Sequence, residues 1–123
     1  MKTLLIVFAG GAALFFVMLY GQTGRIARGR YLVDEVAKCQ ECHTQRLKTG
    51  ELDGSAWLKG GPGNAPDITA GGELWKHWGE RGMFRFLVHG VNPEGKAARP
   101  PMPAYKLRPD DAEAMVAYLK SLR

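Results

Sequence analysis

The sequence predicts a helical chain, and three observations carry that expectation. Leu4 to Tyr20 is an apolar run without charge, long enough for one extended helix. Apolar residues then recur at helical spacing in two later stretches, Arg25 to Lys38 and Pro109 to Arg123. Between those stretches lies Cys39-Gln40-Glu41-Cys42-His43, whose cysteines are three apart and so share one side of a single helical turn.

The first segment reads as a membrane helix. At about 1.5 Å per residue, its 17 residues span roughly 26 Å, against a hydrocarbon core of about 30 Å. Thr3 and the linker Gly21 to Gly24 make up the difference. A cleaved secretory peptide is the rival reading. Its apolar region would be long, and Tyr20-Gly21-Gln22-Thr23-Gly24 makes a poor small-x-small cleavage site. The expectation is therefore an uncleaved anchor: residues 1–24 as anchor and linker, residues 25–123 as one domain. Arg25, Arg28 and Arg30 would prefer the cytoplasm. Export of a whole domain depends little on a few flanking charges. Ala9, Gly10, Gly11 and Ala13 form either a packing stripe for another helix or plain composition.

In the second segment, Leu32, Val36 and Cys39 keep helical spacing, and Gly29 marks either the start of that helix or a close crossing with another. Thr44 to Gly72 is dense in glycine and proline, which predicts a long loop wrapped around a site. Leu74 to Trp78 and Met83 to His89 read as two short helical pieces separated by Gly79 and Gly82, with Met83 and Leu87 facing inward. Gly90 to Pro103 is irregular again. The last helix is the plainest: Asp110 and Glu113 suggest a capping box behind Pro109, and Ala112, Met115, Val116, Leu119 and Leu122 share one face.

C-x-x-C-H carries the chemistry. Each cysteine can add its sulfur across one vinyl group of a porphyrin, and the following histidine can ligate the iron through neutral imidazole. Zinc would need a second ligand pair, and the chain has no third cysteine while His77 and His89 stand far apart. A thioredoxin-like dithiol would follow a strand, and nothing upstream alternates like one. The cofactor expected is one haem c, covalent through Cys39 and Cys42, with His43 on the iron.

Electron transfer calls for a second strong ligand. Met83, Met102, Met115, His77 and His89 are candidates. Met102 lies within Pro100-Pro101-Met102-Pro103, which restricts φ on both sides and makes a stiff, extended presentation of the thioether. Met83 and Met115 fall on apolar helical faces, where methionine usually fills a core. Met102 is the expected ligand and His77 the runner-up; a bis-histidine site would have the lower potential.

Taken together, Gly29-Arg30-Tyr31-Leu32, Cys39 to His43, and the Pro-Pro-Met-Pro loop before a final helix bearing Met115, Tyr118 and Leu119 resemble the class I monohaem c-type cytochromes, in particular bacterial membrane-anchored ones. The resemblance covers about residues 25 to 123. It implies an all-α fold around a buried haem, a last helix crossing the first, His43 as proximal ligand and Met102 as distal ligand. It also implies that a carbonyl of the Gly60 to Pro66 loop holds the other imidazole nitrogen. Trp57, Pro66, Ile68, Trp75, Trp78 and Tyr105 are the candidates to line the haem, ordinary core packing being the alternative for each. Trp57 and Trp78 can also donate an indole N–H to a propionate. Gly79-Glu80-Arg81-Gly82 departs from the family's uninterrupted helix.

The formal charge of +5 is moderate, and no basic run is interleaved with aromatics, which argues against nucleic acid. It suits acidic protein partners. The functional expectation is an electron carrier of a respiratory or photosynthetic chain, not an enzyme and without a small-molecule substrate. It would be a single-pass protein of a bacterial inner membrane, held by residues 4–20 with its haem domain in the periplasm. The alternative is a fixed cytochrome subunit of a larger membrane oxidoreductase. A haem peroxidase or a gas sensor would want an open distal position, which a proline-locked Met102 opposes.

Overall fold

The computed structural model describes the backbone of residues 2–123 and the side chains of residues 11–123. Helix α1 runs without interruption over Lys2–Tyr31, so the expected linker Gly21 to Gly24 is helical. Thr23 supports that stretch by donating its hydroxyl to the carbonyls of Leu19 and Tyr20. Part of the expected span, residues 4–10, lies outside the residues whose side chains are described. Among the described residues no helix is long and apolar enough to cross a membrane. From Leu14 to Tyr20 every side chain is exposed, all the way round the helix.

The end of α1 widens into a π-helical turn at Leu32–Val36, closed by a bond from Ala37 N–H to Leu32 O at 2.8 Å. Lys38 then takes a left-handed conformation (φ 52°) and stops the helix. A single turn, α2 (Gln40–His43), follows at once. The long loop contains a 3₁₀ turn at Gly54–Ala56 and a small antiparallel hairpin, β1 (Lys59–Gly61) with β2 (Ala65–Asp67), in register Lys59 to Asp67 and Gly61 to Ala65. Lys-Gly-Gly and Ala-Pro-Asp carry almost no strand propensity, which is why the hairpin does not show in the sequence. The fold is mostly helical rather than wholly so.

Helix α3 (Glu73–His89) includes both predicted pieces, and the break between them survives as a kink at Gly79 (φ 65°, ψ 178°). Gly82 does not interrupt it; a Cβ there would sit 2.8 Å from Trp78 Cβ and 3.0 Å from Pro93 Cγ. Gly90 ends α3 in the left-handed conformation (φ 72°). Helix α4 spans Pro109–Ser121. Its expected capping box does not form: Arg108 is the cap residue, Pro109 opens the helix, and no side chain caps it. Asp110 and Asp111 instead place negative charge in the first turn.

The core lies where α1 and its π turn cross α4, with α3 alongside. Leu32, Val33, Met83, Leu87, Ala112, Met115, Val116 and Leu119 are buried there. Gly29 is the crossing point, since a Cβ on it would lie 1.9 Å from Ala114 O. The Arg28–Asp111 ion pair at 2.8 Å flanks the crossing.

Candidate functional site

The attachment motif is built where α1 gives way to the loop. The π turn and the left-handed Lys38 turn the chain so that α2 starts at Gln40, and His43 N–H bonds back to Cys39 O at 2.9 Å. Cys39 is half-buried, Cys42 exposed, and both are free thiols. Burial pushes the Cys39 thiol up to about 11, and the charges of Asp34 and Cys42 add to the rise.

His43 is buried. Its Nδ1 lies 2.8 Å from Pro66 O, and because a carbonyl only accepts, Nδ1 carries the proton. Nε2 is therefore the nitrogen with a free lone pair. Burial lowers the pKa of this imidazole from 6.5, and the Pro66 bond opposes the shift in part.

The hairpin holds Pro66 in place by backbone fit. Gly61 presses on α2: a Cβ there would be 1.9 Å from Cys42 O and 3.1 Å from Thr44 N. Buried Thr44, directly after His43, accepts Leu58 N–H on its hydroxyl at 2.9 Å. Ile68, also buried, donates its N–H to Leu58 O at 3.1 Å. The expected carbonyl from the Gly60 to Pro66 loop is present, supplied by its last residue.

The remaining candidates divide. Tyr105 is half-buried, its hydroxyl 3.5 Å from Ala37 O, and its pKa is raised by burial and then by the charges of Cys39 and Cys42. The loop that carries Met102 thus runs beside the attachment segment. Met102 is half-buried in a turn closed by its N–H on Arg99 O at 3.0 Å. Met83 and Met115 are buried in the core, while His77 and His89 are exposed. Trp78 packs on Phe86, ring centroids 5.1 Å apart. Trp75 is half-buried against the core. Trp57 does not hold its indole N–H free: it donates to Asp34 Oδ1 at 3.3 Å. Asp34, Thr44 and Leu58 belong to no recognisable motif, and sequence reasoning missed all three.

The donor set fits a covalently held haem. Two thiols flank one turn, and a buried imidazole is fixed through its far nitrogen.

Comparison with known proteins agrees. The cytochrome c family model matches residues 26–123. The chain is 38% identical over 104 residues to a fructose dehydrogenase cytochrome subunit of Gluconobacter japonicus, covering 77% of this chain and 21% of that protein. It is 36% identical over 103 residues to a diheme cytochrome c-type protein of Cereibacter sphaeroides, covering 76% and 34%. It is also 36% identical over 104 residues to one of the subunits of a nicotinate dehydrogenase from Pseudomonas putida, covering 77% and 9%. The chain therefore spans about a third or less of the length of these relatives.

Proposed function

The chain belongs to the cytochrome c family, and on that premise we propose that it is an electron-transfer protein with one haem c, held by His43 and Met102 and working as the cytochrome subunit of a membrane oxidoreductase. When bound, the haem supplies one-electron ferric/ferrous exchange; the family implies its covalent attachment, for which Cys39 and Cys42 are the thiols. His43 would hold the iron through Nε2, with Pro66 O on its Nδ1–H raising the basicity of the ligand. Met102 offers a soft thioether from a loop stiffened by prolines. Ile68, Trp78 and Tyr105, each buried or half-buried, would line the haem, while Trp57 is committed to Asp34.

The single observation that carries the reading is the His43–Pro66 bond beneath C-x-x-C-H. Two of the relatives are named as dehydrogenase subunits, and that favours a complex subunit over a mobile carrier. The protein itself moves electrons and transforms no substrate. Residues 1–24 serve as anchor and residues 25–123 as the haem domain, in a bacterial inner membrane with the haem domain facing the periplasm. The apolar surface exposed all round α1 from Leu14 to Tyr20 supports that anchor.

Salt dependence separates the two modes of working. Lys48, Lys59, Lys96, Arg99 and Lys106 are exposed, whereas Arg46 is paired with Glu41 at 2.7 Å. A mobile carrier steered by this charge should reduce an acidic acceptor more slowly as the Debye length falls below about 10 Å. Charge reversal at Lys96 and Arg99 should reproduce that loss. A complex subunit should copurify with its partners in mild detergent and transfer electrons at a rate indifferent to salt, and this second result is the one expected.

A further inference from the structure

We propose that Asp34 is a positioning residue for the axial histidine: through Trp57 it clamps the strained turn from which the β1–β2 hairpin offers Pro66 O to His43. The inference rests on His43 being an iron ligand, as proposed above.

Asp34 sits in the π turn and joins four parts of the fold. Its Oδ1 accepts the Trp57 indole N–H at 3.3 Å, and its Oδ2 accepts the Tyr118 hydroxyl of α4 at 3.2 Å. Arg30 Nε lies 3.6 Å from Oδ2, and the carboxylate side chain is only 12% exposed. Its backbone carbonyl accepts the side-chain N–H of Gln40, the first residue of α2, at 2.8 Å. Widened turns of this kind occur frequently at functional sites.

The residue after Trp57 shows what the clamp holds. Leu58 is fully buried and left-handed, with φ 60°, a conformation that bulky side chains avoid and that persists only where the surroundings impose it. On one side the Trp57 ring is tied to Asp34. On the other, Leu58 N–H is tied to Thr44 Oγ1 and Leu58 O to Ile68 N–H. β1 starts at the next residue, and β2 delivers Pro66 O. With the carboxylate gone, the turn can relax, the hairpin drifts, and the Nδ1–H bond of His43 weakens. A less basic imidazole stabilises the ferric state less, so the potential rises.

The test compares three holoprotein variants, Asp34→Ala, Trp57→Phe and Tyr118→Phe, by midpoint potential, by NMR exchange of the His43 Nδ1 proton and by thermal unfolding. Asp34→Ala and Trp57→Phe should each move the ferric/ferrous equilibrium several-fold toward ferrous, tenfold being about 59 mV for one electron. Both should also exchange that proton at least several-fold faster. Trp57→Phe leaves every charge in place, so its shift separates positioning from simple loss of a nearby anion, and it decides the matter if Asp34→Ala fails to load haem. Tyr118→Phe removes a bond from the same carboxylate on the α4 side; it should unfold at lower temperature with potential and exchange unchanged. If Trp57→Phe behaves as Tyr118→Phe does, the clamp is ordinary packing and the proposal is wrong. The wild-type spectrum is recorded first: absence of a histidine ligand there overturns the ligation reading and this proposal together, whereas failure of the clamp alone shows only in the variants.

Discussion

Replacing Cys39 and Cys42 together by Ala is expected to give a chain that neither retains haem nor unfolds cooperatively. The cysteines themselves contribute little packing, since Cys42 is exposed and Cys39 only half-buried. Their importance lies in what they attach. A domain of this size has limited apolar burial of its own, and much of the segment from Thr44 to Gly72 is loop, holding one 3₁₀ turn and a hairpin of two three-residue strands. The macrocycle has to supply the missing core for that loop. Far-UV circular dichroism through a urea titration checks this against the wild type. A sharp transition near the wild-type midpoint would mean that the helices α1, α3 and α4 suffice without haem.

Gly61→Ala should be among the most damaging small substitutions, alongside Gly29→Ala at the helix crossing. The added Cβ would meet Cys42 O at 1.9 Å, its carbonyl carbon at 2.8 Å and Thr44 N at 3.1 Å. These are backbone atoms of the attachment turn, so no rotamer can yield. Either β1 moves off α2, taking Pro66 O away from His43, or α2 itself distorts. Overpacking against such a wall costs roughly 3 kcal/mol or more. Gly54→Ala serves as control, because nothing lies within 4 Å of its Cβ position; its cost should stay within about 0.5 kcal/mol. Urea midpoints of the two holoproteins give the comparison. Equal midpoints would show that the hairpin is free to shift, against the account of how His43 is held.

Much of this site is legible in the sequence because its parts obey strong local rules. The last helix declares itself through five apolar residues at helical spacing, four of them buried and Leu122 half-buried at its end. Gly29 suits either a helix start or a close crossing, and the structure makes it the crossing, with Ala114 supplying the opposing backbone. The attachment motif and the carbonyl on His43 follow from covalent chemistry and from the need to orient an imidazole. Other features depend on contacts between distant segments. Asp34 looks like any surface acid until Trp57 and Tyr118 converge on it. The left-handed Leu58 carries no glycine to announce it. The capping box failed for a local reason: Pro109 is better placed at the first helical position than Asp110 is as a cap, and Asp111 is drawn into the pair with Arg28.

The central claim is that His43 and Met102 are the two iron ligands, and one measurement tests it most directly: the near-infrared absorption of the ferric protein, wild type against Met102→Ala. A methionine sulfur on low-spin ferric iron gives a weak charge-transfer band in that region. The account predicts the band in the wild type and in Met83→Leu, and its disappearance in Met102→Ala. Persistence of the band in Met102→Ala, or its absence from the wild type, would contradict the assignment and place a different group on the distal side.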